Sequence, residues 1–214
     1  AYQIFKETVS DLLPTDGFHE LELSSILFTD YAYKQRLVKV PQGTQIARLS
    51  DGTLDFPDGT ILTKTFFYYA DERDPSLGKR IIETRLLIKE SDAWNVATYL
   101  WNEAQTEATL TLDGFDTQVS WVNEEGVGRS TNYHVPNENE CGTCHQSNEK
   151  MTHLGPTLRN LNRSVIRQGE SLNQISHLLA LGTLGDFPLS QAAMIVDYKD
   201  ESASLTERGR AYLA

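Results

Sequence analysis

The 214-residue sequence is short of sulfur, of basic residues and of long apolar runs, and each shortage excludes a class of protein. Its two cysteines allow at most one disulfide, so the chain is not a small disulfide scaffold. No stretch approaches the roughly 20 apolar residues that span a bilayer, so we do not expect it to be membrane-spanning. With 19 basic against 30 acidic residues, the net charge of -11 would repel a phosphate backbone, so nucleic acid is not an expected partner.

The remaining composition is that of a folded globular protein. Hydrophobic residues make up 39% of the chain and charged residues 23%, with a mean hydropathy of -0.41. The length allows one large domain or two small ones. The first residues show neither an initiator methionine nor a basic and apolar signal, so we expect any export signal to have been removed or to lie outside this sequence.

A β-rich texture extends from Tyr33 to about Val135, where short β-branched and aromatic runs alternate with Gly, Pro and Asp. Because no long helical pattern separates these runs, they predict an antiparallel sandwich or barrel. Residues 4–13 ahead of them have helical spacing. The predicted strands are Leu37–Val40, Thr60–Tyr69, Arg80–Lys89, Trp94–Trp101, Ala108–Leu112, Gln118–Val122 and Ser130–Val135.

The character of the sequence changes near residue 136. The polar segment 132–140 is typical of a linker, and the residues after it have helical patterns. We therefore predict an α+β protein, with a β-rich domain over residues 1–135 and a small α-helical domain over residues 136–214. The predicted helices are Thr157–Gln168, Ser171–Leu181 and Ser204–Tyr212, the last entered through a capping-box spacing.

Both cysteines lie in the pentapeptide Cys141-Gly142-Thr143-Cys144-His145. C-x-x-C-H is the attachment signature of haem c, in which two thiols add to the haem vinyl groups and the histidine becomes an axial iron ligand. A zinc site would need further Cys or His ligands, of which only His153 is near, and a thioredoxin-like site would need a βαβ context. We therefore predict one covalent haem c, bound by Cys141, Cys144 and His145.

The residues after the motif, from His145 to Leu158, resemble the C-x-x-C-H … G-P-x-L run of class I c-type cytochromes. That resemblance implies that the helical domain over residues 136–214 is cytochrome c-like. It also implies that the carbonyl of Pro156 accepts the hydrogen bond from His145 Nδ1–H. It also implies a methionine as the sixth iron ligand, and Met194 precedes the last predicted helix. The alternatives for that position are Met151, His153, His134, His177 and an open or water-bound site.

Several runs upstream of the motif resemble a poorly characterised family of exported bacterial haem proteins. Among them are Phe56-Pro57-Asp58-Gly59-Thr60 and Val135-Pro136-Asn137. Members of that family place a β-rich region before C-x-x-C-H and Gly-Pro. The resemblance implies a periplasmic, secreted or cell-surface bacterial protein.

These observations together predict a cytochrome that exchanges single electrons with a redox partner. The charge of -11 favours a positively charged partner protein through long-range steering. One alternative is a haem enzyme with peroxidase-like or gas-binding activity at an open distal site. Another is a module that binds a polysaccharide through strand aromatics, namely Tyr68, Tyr69, Trp94, Tyr99, Trp101, Trp121 and Tyr133.

Overall fold

The computed structural model describes residues 2–50, 52–91, 93–147 and 150–213, without the side chains of residues 138, 141, 144, 146, 147 and 150. In this part of the chain, β-structure dominates and the helices are short. The strands are β1 (His19–Glu20), β2 (Tyr33–Lys39), β3 (Ala47–Arg48), β4 (Leu54–Asp55), β5 (Ile61–Tyr69), β6 (Lys79–Glu90), β7 (Ala93–Trp101), β8 (Ala108–Thr111), β9 (Phe115–Val122), β10 (Gly128–Val135), β11 (Gln146–Ser147), β12 (Lys150–Met151), β13 (Ser164–Arg167) and β14 (Glu170–Asn173). The helices are α1 (Glu138–His145), α2 (Leu158–Leu161), α3 (Gln174–Ala180) and α4 (Leu205–Leu213).

An open antiparallel sheet in the order β1-β2-β5-β6-β7-β8 forms the frame of the molecule. Strand β5 of this sheet consists almost wholly of β-branched and aromatic residues, which favour a pleated and half-buried surface. The register between β5 and β6 shifts at Phe66/Phe67, which places Ile82 and Glu83 of β6 around one position of β5. Glu83, which pairs with Phe66 beside this irregularity, is fully buried.

One face of this sheet is covered by two different partners. The β9–β10 hairpin, paired over eight positions, closes one part with a cluster that includes Phe66, Trp121 and Tyr133. A larger cluster closes the rest and joins sheet residues such as Val38 and Trp94 to the region after residue 150. That region contributes Leu158, Leu161, Ile175, Leu178 and Leu184.

The predicted fold class is wrong for the second half of the chain. Residues 138–213 do not form a helical cytochrome c-like domain, because the four helices there are short and two hairpins, β11–β12 and β13–β14, interrupt them. The hydrophobic cluster also crosses position 136, joining residues on both sides. Nor does the first half form a barrel, since β1 and β8 remain edge strands of the main sheet. The boundary at 136 itself stays a prediction.

Individual elements were predicted with uneven success. Each of the seven predicted strands overlaps one of β2 and β5 to β10, and the capping box of α4 is present, with Ser204 and Glu207 bonded reciprocally. The helix expected over 4–13 is wrong: only a short 3₁₀ turn, Val9–Asp11, is formed there. Of the helix expected over Thr157–Gln168, only the four residues of α2 are helical, and the chain then forms strand β13.

The amide side chain of Gln174 fastens the N-terminal segment to the C-terminal region. It is fully buried, accepts from the backbone N–H of Glu22 at 2.7 Å, and donates to the carbonyls of Glu22 at 2.9 Å and Leu161 at 3.0 Å. Three hydrogen bonds at one buried amide tie together segments 152 positions apart.

Gln174→Ala is expected to lower the free energy of unfolding by about 2–4 kcal/mol, because it leaves buried backbone groups without partners. The exposed Gln191, in the same half of the chain, gives a control: Gln191→Ala should change stability by less than about 0.5 kcal/mol. Urea unfolding followed by tryptophan fluorescence measures both. If the two variants had the same urea midpoint, Gln174 would not hold the N-terminal segment to the C-terminal region.

Candidate functional site

Helix α1 carries the C-x-x-C-H motif and begins with a capping box. The N–H of Glu140 donates to the side chain of Asn137 at 3.0 Å, and the Glu140 carboxylate accepts from the N–H of Asn137 at 2.8 Å. The linker expected over 132–140 is therefore wrong, since β10 runs to Val135 and α1 starts at Glu138. Cys141 and Cys144 lie about one turn apart along this helix, and their side chains lie outside the described part of the chain.

His145 ends helix α1 with its imidazole half-buried and held in one orientation. Its Nδ1 lies 3.0 Å from the carbonyl oxygen of Thr152, which the β11–β12 hairpin brings back beside the helix. Thr152 also donates its N–H to the carbonyl of His145 at 2.6 Å. Because a carbonyl oxygen only accepts, Nδ1 carries the proton, and the lone pair of Nε2 remains available to a metal.

Pro156 does not have the hydrogen-bonding role that the resemblance implied, because Thr152 supplies the carbonyl to His145. Pro156 is instead buried in a turn with Gly155. Gly155 has φ +100, and a Cβ at this position would lie 2.9 Å from Cδ1 of Leu23. The Gly-Pro dipeptide therefore serves the turn that leads into α2.

The candidates for the sixth iron ligand occupy different environments. Met194 is 69% exposed and lies between a 3₁₀ turn and α4, so no core packing fixes its thioether. His153 is partly buried against Phe56 and Trp94, with ring centroids at 4.7 and 5.5 Å, and its Nδ1 is buried and has no partner among the described residues. Met194 thus remains a prediction. The other candidates are Met151 in β12, His134 in β10 and His177 in α3.

A row of basic side chains crosses the sheet beneath this region, and sequence reasoning missed it. Arg36 of β2 is paired with Lys64 of β5, and Lys64 with Arg85 of β6, while Lys34 lies two positions before Arg36 on the same face. We call these four residues the basic row. Their burial lowers the pKa of Lys64 to about 7, of Lys34 to about 8 and of Arg36 to about 10, and the row's mutual repulsion adds to the shift of both lysines.

Only one carboxylate pairs with the basic row among the described residues. Glu83 is fully buried, and both of its oxygens accept from the Arg85 guanidinium, with Nε 2.7 Å from Oε2. The hydroxyl of Tyr133 donates to Glu83 Oε1 at 2.6 Å, and burial beside this carboxylate raises the pKa of Tyr133. This network balances the charge of Arg85. Among the described residues, Lys34, Arg36 and Lys64 form no ion pair of their own, although Asp30 acts on Lys34 and Glu83 on Lys64 at longer range.

A cleft of about 480 Å³ opens at one end of the basic row. Its lining holds four basic residues, Lys34, Arg36, Arg163 and Lys199, and four acidic ones, Glu20, Glu22, Glu72 and Asp197. Much of the remaining wall is apolar or aromatic, formed by Leu21, Leu23, Ile26, Phe28, Tyr31, Tyr198 and Tyr212. At the other end of the row, the charges of Lys64 and Arg85 act on His145, where burial is the main cause that lowers the pKa of the imidazole.

His134 joins the end of β10 to the capping box of α1. Its Nδ1 lies 2.8 Å from Asp116, and its Nε2 lies 3.2 Å from Glu140. Hydrogen bonds to these two carboxylates, Asp116 first, raise the pKa of His134 above its usual value. The stabilisation of the fold by these ion pairs is therefore fully present below about pH 6.5, and it is lost as the pH rises through the raised pKa of His134.

His134→Asn is expected to destabilise the protein by less than about 1 kcal/mol, because the imidazole is half-exposed and screened. The test is how this destabilisation changes with pH. The difference in unfolding free energy between wild type and variant should be larger at pH 5.5 than at pH 8.5. Paired urea titrations at the two pH values measure it. A gap that widens as the pH rises would contradict the assignment of these ion pairs.

Four of the seven strand aromatics are buried in the clusters of the sheet and pack against other rings, namely Tyr68, Trp94, Trp121 and Tyr133. The other three, Tyr69, Tyr99 and Trp101, are partly buried, and polysaccharide binding stays a prediction. In the part of the chain that the structure covers, no helix is long and apolar enough to cross a membrane.

Comparison with protein-family models, with curated proteins and with solved structures gave no match. The resemblance to class I cytochromes c, and to exported haem proteins built on such a domain, is overturned by the β-rich fold. A search of the described residues also found no group of three or more His, Cys, Asp or Glu that could hold a metal ion. The C-x-x-C-H … G-P-x-L spacing matched because it is a local pattern, and here its Gly-Pro belongs to a turn beside Leu23.

Proposed function

We propose that the chain binds one haem c covalently through Cys141 and Cys144, with His145 as an axial ligand, and that it exchanges single electrons with a partner protein. The proposal depends on the motif and not on a cytochrome fold, because thioether formation needs only two thiols about one turn apart and an adjacent imidazole. The observation that carries it is the orientation of His145: Nδ1 is bonded to Thr152 at 3.0 Å, and Nε2 is left as the donor to iron.

The hydrogen bond between His145 and the carbonyl of Thr152 fits such a group. A backbone carbonyl on Nδ1–H fixes the tautomer of the imidazole and increases the basicity of Nε2, as is usual for metal-bound histidines. The carbonyl comes from a hairpin whose residue Met151 packs against the main hydrophobic cluster, so its position is braced by the core. When bound, the haem would supply the ferric–ferrous couple, while the protein holds the imidazole and sets the local charge.

We also propose that the protein is exported and docks with a basic redox partner. Covalent haem attachment of this type takes place outside the bacterial cytoplasm, and the charge of -11 favours encounter with a positively charged surface. The docking rate should fall as salt is raised, because surface charges separated by more than about 8–10 Å are screened at physiological ionic strength.

Expression with and without a c-type maturation system tests the proposal. We expect the matured protein to be heavier by one haem in intact mass, to stain for haem after denaturing electrophoresis, and to show a low-spin spectrum in both oxidation states. A mass without haem after maturation would refute it. A high-spin ferric spectrum with rapid peroxide turnover would replace electron transfer by a peroxidase-like activity at the same attachment site.

A further inference from the structure

Two cations at the centre of the basic row carry hydrogen-bond donors that the protein does not use. In the described part of the chain, neither the guanidinium of Arg36 nor the ammonium of Lys64 forms a hydrogen bond or an ion pair. Both side chains are partly buried, where an unpaired charge costs more than it does in water. Because these groups only donate, the partner that would satisfy them is a ligand with several acceptor oxygens.

The cations of the row lie close enough together to hold one small ligand. Lys64 Nζ lies 4.9 Å from the ring centroid of Phe66, the guanidinium carbon of Arg85 lies 4.5 Å from it, and Lys34 Nζ lies 5.9 Å from it. Arg36 is the cross-strand partner of Lys64, and such partners have their Cβ atoms about 4.5–5.5 Å apart. A single group with three or more oxygens matches this spacing.

The row lies where the two covers of the sheet meet. On the same face, Val38 and Leu62 belong to the cluster that includes the region after residue 150, whereas Phe66 belongs to the cluster closed by the β9–β10 hairpin. Arg36 and Lys64, between these positions, remain partly exposed. The site is therefore accessible to a small ion from solution, and the surrounding protein weakens the solvent screening of its charges.

The carboxylates near the row are engaged by other groups. Glu83 accepts from Arg85 with both oxygens. Three carboxylates of the neighbouring cleft form ion pairs with arginines outside the row, namely Glu20 and Glu22 with Arg167, and Asp197 with Arg163. The fourth, Glu72, accepts the N–H of Glu124 at 3.0 Å. None of these contacts neutralises Arg36 or Lys64.

We propose that Arg36 and Lys64, with Lys34 beside them, bind a phosphate group at the junction of the two covers. The guanidinium donates to two phosphate oxygens and the ammonium to a third, and these charge-assisted hydrogen bonds use the donors that the fold leaves over. The negative charge of the ligand also relieves the repulsion among the cations. Inorganic phosphate and a phosphate monoester share this chemistry, and the site does not depend on haem attachment.

Isothermal titration of the full chain with inorganic phosphate, at an ionic strength held constant with sodium chloride, tests the proposal. Arg36→Gln and Lys64→Gln should each weaken phosphate binding at least about tenfold. Lys39→Gln is the matched control and should bind like the wild type, because Lys39 is on the same strand as Arg36 and on the opposite face of the sheet. Circular dichroism establishes that each variant is folded.

Urea unfolding gives an independent measurement for a variant that keeps the apolar stem of the side chain. In buffer without phosphate, Lys64→Met should be at least as stable as the wild type, because it removes a cation that its neighbours repel. Added phosphate should raise the urea midpoint of the wild type more than that of Lys64→Met, since a ligand stabilises only the state that binds it. A Lys64→Met variant less stable than the wild type without phosphate would show a structural role for the ammonium and overturn the proposal.

A second ligand separates the two sources of the phosphate group. Glycerol 3-phosphate that binds at least about tenfold more tightly than inorganic phosphate would assign the site to a phosphorylated molecule, and equal affinities would assign it to the free ion. Phosphate binding of equal strength in the wild type, Arg36→Gln and Lys64→Gln would overturn the site, as would the absence of binding at constant ionic strength. Neither result affects haem attachment, which intact mass decides independently.

Discussion

Cys144→Ser is expected to leave most chains without haem after expression with a maturation system. One thioether and one axial ligand then have to hold a group that two thioethers held before, and the motif no longer presents two thiols one turn apart. The measurement is the ratio of haem to protein in the variant and in the wild type, obtained from the Soret absorbance and from intact mass.

Thr143→Ser is the matched control for this experiment. It lies between the two cysteines on α1, is exposed, and leaves both thiols and His145 in place. We expect it to be loaded with haem like the wild type. If Cys144→Ser retained a full complement of covalent haem, the attachment would not depend on the C-x-x-C-H motif, and the proposed function would have to be abandoned.

Glu83→Ala is expected to cost about 3–5 kcal/mol of unfolding free energy, the usual effect of removing one partner from a buried ion pair. Glu83 is the one carboxylate that pairs with the basic row in the described part of the chain. Its loss leaves Arg85, whose side chain is only 17% exposed, among other cations. It also removes the acceptor of the Tyr133 hydroxyl, which is itself buried.

Two comparisons separate this effect from a general loss of packing. Glu103→Ala, at the exposed turn between β7 and β8, should change stability by less than about 0.5 kcal/mol. The double variant Glu83→Leu/Arg85→Met should recover part of the loss, because it removes both charges of the buried pair. Urea unfolding at pH 7 measures all three. A cost for Glu83→Ala no larger than that of Glu103→Ala would show that the pair is not a structural element.

The strands of the main sheet could be predicted because period-two patterns and turn residues are local signals. Strand β5 begins one residue later than predicted, and β6 is one residue longer than predicted at both ends. The hairpin β13–β14 could not be recognised in the same way, because its two-residue turn consists of Gln168 and Gly169, both with positive φ. Gln-Gly is a weaker turn signal than Asn-Gly, and the residues before it were consistent with a helix.

Only those residues of the candidate site that lie close together in the sequence could be predicted. The spacing of Cys141, Cys144 and His145 is visible in the sequence, whereas the partner of His145 depends on how a later hairpin folds back. The basic row depends on the pairing of strands about twenty to fifty residues apart. A lysine or arginine in a strand normally indicates a solvated face, so Arg36, Lys64 and Arg85 gave no signal until their register was known.

The hydrogen bonds between Glu22 and Gln174 can form only late in the synthesis of the chain. A contact that spans 152 positions cannot form until almost the whole chain is present, and loops of that length close slowly. The segment 138–145 precedes Gln174, so it emerges from the ribosome or from a membrane channel while the final contacts are still missing. The C-x-x-C-H segment is therefore complete in the growing chain before the contact between Glu22 and Gln174 can form.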